Sequence, residues 1–114
     1  MDVLEIVYIF TVLSMGVIFT VLGWVLYKKP PSKINSVYGY RTPRSMSDQK
    51  LWDFSQRYSG KLMAYVGIIS IVASLFVWMA FPITLTVFLV MTFFPVAAML
   101  PVLLITESKM KKMQ

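Results

Sequence analysis

The sequence predicts an all-α integral membrane protein with three transmembrane helices and a short cytoplasmic amphipathic helix, forming one membrane domain over residues 1–114. Hydrophobic residues make up 58% of the chain and charged residues only 14%. Two long uncharged runs, 6–27 and 62–106, are sufficient for one and two membrane crossings. The basic residues are concentrated between these runs and at the C-terminal end. This pattern is typical of a multi-pass protein of the cell membrane.

The first predicted span covers about residues 6–27. These 22 uncharged residues would extend about 33 Å as a helix, enough to cross a hydrocarbon core of about 30 Å. Trp24 and Tyr27, followed by two lysines, have the composition of a membrane interface. A cleaved signal peptide is the alternative, but Asp2 and Glu5 stand where a signal peptide has basic residues. We therefore expect a retained helix.

The second uncharged run is long enough for two further spans, at about 62–80 and 83–105. Pro82 lies next to aromatic residues, and this combination favours a chain reversal at an interface. Pro95 and Pro101 lie inside the third predicted helix, where each removes a backbone hydrogen bond and favours a kink. Residues 106–114 form a basic tail.

The distribution of bases predicts the orientation. The central segment 28–61 carries eight bases against two acids: Lys28, Lys29, Lys33, Arg41, Arg44, Lys50, Arg57 and Lys61 against Asp48 and Asp53. The C-terminal tail adds three lysines, whereas the segment before the first span has no basic side chain. By the positive-inside rule, the N-terminus lies outside and the central segment and C-terminus lie in the cytoplasm.

The end of the central segment is predicted to form the amphipathic helix. Residues 45–48 fit the helix-start pattern [ST]-x-x-[DE]. After them, helical spacing places four apolar residues broadly on one side and five polar ones on the other: Leu51, Trp52, Phe54 and Tyr58 against Gln49, Lys50, Asp53, Gln56 and Arg57. The helix is therefore expected to lie at the membrane interface and to continue through Gly60 into the second span. For Trp52, an anchor in the interface is the favoured interpretation, and contact with a partner is the alternative.

The stretch VYGYRTPRS, residues 37–45, which we call the motif, is more specific than a polar linker requires. Gly39 permits a backbone conformation that other residues avoid. The ring of Tyr40 is expected at the headgroup boundary with its hydroxyl in water. Arg41 and Arg44 each offer a planar fork suited to phosphate or carboxylate. Either the stretch is an ordered docking site, or its arginines simply meet lipid phosphates as in any positive-inside loop.

These residues resemble the SdpI family of bacterial membrane proteins, which is named for an immunity protein against a secreted toxic peptide. The positions that carry the resemblance follow the family's order: Asn35, Gly39, Tyr40, Arg41, Thr42, Ser45, Trp52 and Gly60. With Pro43 and Arg44, they are the candidate residues for binding a partner. The family's namesake is longer and has more spans, so this chain is expected to be a short, three-helix member.

Several absences narrow the function. There is no cysteine and no histidine, and no predicted span contains a charged residue. The usual nucleophiles, general bases and metal ligands are therefore scarce, and the intramembrane carboxylate of a proton-coupled pump is missing. We expect no enzymatic activity, no catalytic residues, no cofactor, no metal and no direct contact with nucleic acid. Gly16 and Gly23, and likewise Gly60 and Gly67, allow close helix approach within the chain or in a homo-oligomer.

Two functions remain open. The resemblance implies immunity to a secreted membrane-active peptide toxin, bound by the spans within the lipid membrane, with a cytoplasmic regulator possible as a second partner of the central segment. The alternative is a small holin-like pore-former or an accessory subunit of a membrane complex. An ordered Gly-Tyr-Arg-Thr-Pro element distinguishes the two, because a pore-former has little use for it.

The orientation can be tested by cysteine labelling, because the chain has no cysteine of its own. Ser36→Cys and Ser108→Cys, made singly, should both resist a membrane-impermeant thiol reagent in intact cells and react after the membrane is permeabilised. Labelling of either variant in intact cells would contradict the predicted orientation.

Overall fold

The computed structural model describes all 114 residues and contains three α-helices and no β-strand. They are α1 (Val3–Lys28), α2 (Gln49–Ala80) and α3 (Leu85–Met113). Each is long and apolar enough to cross a membrane, so the prediction of an all-α chain with three candidate spans is confirmed. The molecule is 51 Å long. Because a hydrocarbon core is only about 30 Å thick, part of the bundle must extend beyond it.

Each helix begins at a side chain that caps its first turn. Asp2 accepts a hydrogen bond from the Glu5 amide at 2.8 Å, and the Glu5 carboxylate accepts one from the Asp2 amide at 3.0 Å. Asp48 caps α2 and Thr84 caps α3 in the same way, through the amide three residues further on. These caps satisfy backbone donors that have no partner within the helix.

The closest contact between helices is the packing of α1 on α2 through glycines. A Cβ atom at Gly60 would lie 2.8 Å from the carbonyl oxygen of Gly23 and 2.8 Å from the amide nitrogen of Tyr27. Two turns further along the pair, a Cβ atom at Gly67 would lie 2.7 Å from the carbonyl oxygen of Gly16. The two backbones therefore approach to a distance that side chains would prevent, and this approach lies within one chain.

Helix α3 packs against the rest of the bundle along one face, on which Pro95 and Val102 are buried between its two ends. Just before α3, at the end away from residues 29–48, Ile83 packs with Tyr8 and Val12 in a small buried cluster. At the other end, α3 buries Thr106 and Met110 against the rest of the molecule. Between these contacts α3 exposes a broad apolar surface: Leu89, Val90, Phe93, Phe94, Val96 and Leu100. Such a surface suits contact with lipid or with another apolar surface.

The predicted amphipathic helix is not a separate element. Residues 49–60 are the first three turns of α2, which runs without interruption to Ala80. Leu51 and Trp52, expected to face the membrane interface, are 2% and 0% exposed. They are buried because they share the face of α2 that continues through Gln56 and Gly60 towards α1. The apolar side of this segment therefore packs against protein instead of lipid.

The prolines of α3 and Gly60 of α2 lie inside uninterrupted helices. α3 continues through Pro95 and Pro101 and through most of the basic tail, ending at Met113. Gly60 does not interrupt α2; its missing side chain provides the close contact with α1. We call the end of the bundle that carries residues 29–48 and 106–114 the loop end.

The glycine contact predicts the effect of Gly60→Ala. At an open helical site this change stabilises a helix by about 0.5–1 kcal/mol. Here the added carbon meets backbone atoms of α1, so we expect destabilisation by about 1–3 kcal/mol, measured as unfolding of the purified protein in detergent. The control is Val72→Leu, which also adds one carbon on α2 but at a residue that is 63% exposed. Equal stability of the two variants would contradict close packing at Gly60.

Candidate functional site

The segment 29–48 folds back over the start of α2, and its central contact is a pair of hydrogen bonds between Tyr40 and Gln56. The Tyr40 amide donates to Gln56 Oε1 at 2.7 Å, and Gln56 Nε2 donates to the Tyr40 carbonyl at 2.7 Å. Gln56 is 0% exposed. One buried side-chain amide thus satisfies both backbone groups of a loop residue, which holds the loop at a defined position.

Gly39 is required by this arrangement on two grounds. Its φ angle is 108°, in the left-handed region that favours glycine, and no other residue of the chain has a positive φ. In addition, a Cβ atom at this position would lie 2.5 Å from Oε1 of Gln56 and 3.0 Å from Cγ of Pro31. Any side chain here would displace the Gln56 amide from Tyr40.

Thr42, Pro43, Arg44 and Ser45 form a tight turn after Tyr40. The Thr42 amide donates to Ser45 Oγ at 2.8 Å, and the Ser45 amide donates to Thr42 Oγ1 at 3.1 Å. The Ser45 hydroxyl, which is fully buried, also lies 3.2 Å from the Tyr40 carbonyl. Pro43 is exposed at the second position of the turn, a position that its restricted φ suits.

The turn directs two motif side chains to the same carboxylate on α3. The Tyr40 hydroxyl donates to Glu107 Oε1 at 2.8 Å, and Arg44 Nη1 donates to Glu107 Oε2 at 2.7 Å. Arg44 Nε also donates to the side chain of Gln114 at 3.1 Å. The sequence predicts an Arg44 fork suited to phosphate or carboxylate and a Tyr40 hydroxyl in water. In the structure the fork binds a carboxylate of the protein itself, and the hydroxyl is also bonded within the protein. They fasten the loop to the end of α3.

The environment of Tyr40 keeps its hydroxyl protonated. Burial raises the pKa of Tyr40 well above its ordinary value, and the hydrogen bond to the Glu107 carboxylate and its negative charge raise the pKa further. The nearby Arg44 guanidinium opposes this change without cancelling it. The hydroxyl is therefore a stable hydrogen-bond donor to Glu107 at neutral pH.

Arg41 differs from Arg44 in every respect that concerns binding. It is exposed, it has no carboxylate partner, and its guanidinium donates to the carbonyl oxygen of Ser36 within the same loop. The ion pair of Arg44 with Glu107 is the single one in the chain. Of the two motif arginines, Arg41 is thus the one whose fork remains accessible to another molecule.

Asn35 and Trp52 support the loop from within. Asn35 Oδ1 accepts hydrogen bonds from the Val37 and Tyr38 amides at 2.9 and 2.8 Å, so it shapes the turn before Gly39. Trp52 is fully buried, and its Nε1 donates to the Pro31 carbonyl at 2.8 Å. The favoured interpretation of Trp52 as a membrane anchor is wrong, because its ring and its donor are both used inside the protein.

Gln56 and Glu107 hold the site together, and the sequence pattern predicts neither role. The pattern places Gln56 on the polar side of an amphipathic helix, although it lies one turn from both Trp52 and Gly60 on one row of α2. In the sequence, Glu107 stands out only as the residue that ends an uncharged run. The feature that could have identified its role is that it is the single acid after Asp53 and is followed by lysines.

An apolar cavity of about 360 Å³ lies beneath the motif. All three helices and the loop contribute to its wall, which includes Leu26, Gly39, Tyr40, Met63, Met99 and Leu103. Tyr40 therefore has two contacts that matter: its ring borders the cavity, and its hydroxyl binds the end of α3. A molecule entering the cavity would touch the residue that fastens the loop.

Comparison with known proteins shows the family of the chain. The model of the SdpI/YfhL protein family matches residues 32–105, which include the whole motif, the second helix and most of the third. The uncharacterized protein YfhL of Bacillus subtilis (strain 168) is 50% identical over 54 residues, covering 47% of this chain and 49% of YfhL. The match thus spans about half the length of that relative, and no solved structure matches the chain. Because the family model covers more than half of the chain, the chain belongs to the SdpI/YfhL family.

Proposed function

We propose that this protein protects a cell against a secreted, membrane-active peptide toxin, and that it does so by binding rather than by catalysis. The toxin would be held by the spans within the lipid membrane. The loop end would lie in the cytoplasm, in accordance with the concentration of bases in segments 28–61 and 106–114. There the exposed part of the motif would capture a cytoplasmic regulator as a second partner.

The observation that carries the proposal is the position of Tyr40. Its ring borders an apolar cavity formed by all three helices, and its hydroxyl bonds to Glu107 at the end of α3. A peptide that inserts an apolar side chain into the cavity would contact α3 and the motif together. This arrangement supports a link between an event within the membrane and the shape of the loop outside it.

The limited packing of α3 supports the same mechanism. Helices α1 and α2 are held backbone to backbone by their glycines, whereas α3 contacts them along one face with few buried side chains, such as Pro95 and Val102, and exposes most of its apolar surface. Movement of α3 would therefore disturb less packing than movement of α1 or α2. Because Glu107 lies on α3, such a movement would change its hydrogen bonds to Tyr40 and Arg44.

A holin-like pore-former or an accessory subunit of a membrane complex is the second candidate. The exposed apolar surface of α3 favours it, because such a surface could pack against other copies or other subunits. The buried Gln56–Tyr40 contact favours immunity, since a pore made by packed spans does not need an ordered loop. Expression in a toxin-sensitive bacterium separates the two functions. Immunity predicts that the cells survive exposure to a secreted peptide fraction from the organism that encodes the chain. A pore predicts that the membrane of these cells leaks even when no peptide fraction is added.

The order of the loop can be tested with Gly39→Val. Valine disfavours a φ of 108°, and its Cβ would collide with the Gln56 amide. We expect loss of protection at an unchanged level of membrane-inserted protein. Ser36→Val is the control, because Ser36 is exposed and its side chain makes no hydrogen bond to the motif. Full protection by Gly39→Val would show that the loop acts only through its charge.

The role of Arg41 can be tested by keeping its charge and changing its geometry. Arg41→Lys retains the positive charge but loses the planar fork that binds carboxylate or phosphate through two hydrogen bonds. If Arg41 binds a cytoplasmic partner, this variant should reduce protection by roughly tenfold or more, as expected for the loss of about 1.5–3 kcal/mol in a charged hydrogen bond.

Lys33→Arg is the matched control for Arg41→Lys. Lys33 lies in the same loop and is exposed, but it is outside the motif. For attraction to lipid headgroups the two basic residues are nearly equivalent, each contributing about 1 kcal/mol near an anionic surface. Identical protection by the two variants at matched expression would identify Arg41 as a charge that sets orientation only.

A further inference from the structure

Three cations without carboxylate partners surround the C-terminal end of α1 at the loop end. Lys28 Nζ lies 5.0 Å from the ring centroid of Trp24 and 5.3 Å from that of Tyr27. Lys61 Nζ lies 5.9 Å from the ring centroid of Tyr65. Arg57 donates to the Tyr27 carbonyl at 3.2 Å. The aromatic rings hold the two ammonium groups near the surface of the helices, and no ion pair neutralises any of the three cations.

Below these cations, a groove runs between α1 and α2. Its cavity has a volume of about 270 Å³, and its lining includes Trp24, Lys28, Lys61, Ala64, Tyr65 and Ile68. Ala64 is buried at its base, whereas Trp24, Tyr65 and Ile68 are about half exposed along its walls. The groove is therefore apolar along the helices and strongly basic at its upper rim.

A basic rim above an apolar groove matches the two parts of an anionic phospholipid. A phosphate needs cations within reach, and an acyl chain needs an apolar surface that continues towards the centre of the membrane. Trp24 and Tyr65 lie at the boundary between these parts, where aromatic residues are enriched in membrane proteins. A free phosphate ion would satisfy the lysines but would leave the apolar groove without a ligand.

We propose that the α1–α2 groove is a binding site for one anionic glycerophospholipid, with its phosphate between Lys28 and Lys61 and one acyl chain along Ala64 and Ile68. Arg57 lies outside this groove, in one neighbouring pocket with Lys28 and the Asp53 carboxylate and in another with Lys61. The site is separate from the motif, whose Arg44 is already paired with Glu107. The lipid would cover the glycine contact between α1 and α2 at its loop end.

The test compares two charge-matched double variants. The full chain is reconstituted in phosphatidylcholine bilayers containing phosphatidylglycerol, and its affinity for phosphatidylglycerol is measured by lipid titration with native mass spectrometry. Lys28→Gln with Lys61→Gln should weaken this affinity by roughly tenfold or more, since each lysine near an anionic headgroup contributes about 1 kcal/mol. Lys33→Gln with Lys50→Gln removes the same charge at exposed positions outside the groove and should change the affinity less than about twofold.

Three outcomes would overturn the proposal. Equal loss in the two double variants would show general attraction to a charged surface. Displacement of the bound lipid by inorganic phosphate would show that the cations bind the headgroup charge alone. Unchanged affinity for phosphatidylglycerol in Lys28→Gln with Lys61→Gln, in a protein whose helical content and thermal unfolding match the original chain, would show that the two lysines of the groove do not hold the lipid.

Discussion

The ordered loop depends on one buried contact, the pairing of the Gln56 amide with the backbone of Tyr40. Both hydrogen bonds are 2.7 Å long, and the side chain is excluded from solvent. In such surroundings a buried amide is costly to leave unpaired, so any other loop conformation must find new partners for it. The glycine at position 39 follows from this constraint, because only a residue without a side chain leaves room for the amide.

From that contact, order extends in two directions. The Tyr40 carbonyl also accepts a hydrogen bond from the Ser45 hydroxyl, and this hydroxyl closes the turn that carries Arg44. The Tyr40 ring reaches over the apolar cavity to α3, where Glu107 accepts hydrogen bonds from both Tyr40 and Arg44. A single loop thereby joins the start of α2 to the end of α3.

The positive charge of the loop end serves different purposes at different residues. Arg44 forms an ion pair with Glu107 inside the protein, and Arg57 caps the carbonyl end of α1. Arg41, Lys28 and Lys61 have no carboxylate partner and remain accessible. A net charge of +6 therefore does not describe a uniform basic surface. It includes structural cations such as Arg44 and Arg57, accessible cations at the motif and at the α1–α2 groove, and further exposed lysines such as Lys33 and Lys50.

The sequence by itself determined the fold class, the number of candidate spans, the family resemblance and the importance of Gly39, because hydropathy, charge and glycine conformation are local properties. It did not determine that residues 49–60 continue into α2 or that Trp52 is buried, because an apolar face has the same spacing whether it meets lipid or protein. The sequence also did not determine the hydrogen-bond partners of Tyr40 and Arg44. Glu107 lies more than 60 residues away in the chain, and only the packing of α3 beside the loop brings its carboxylate to them.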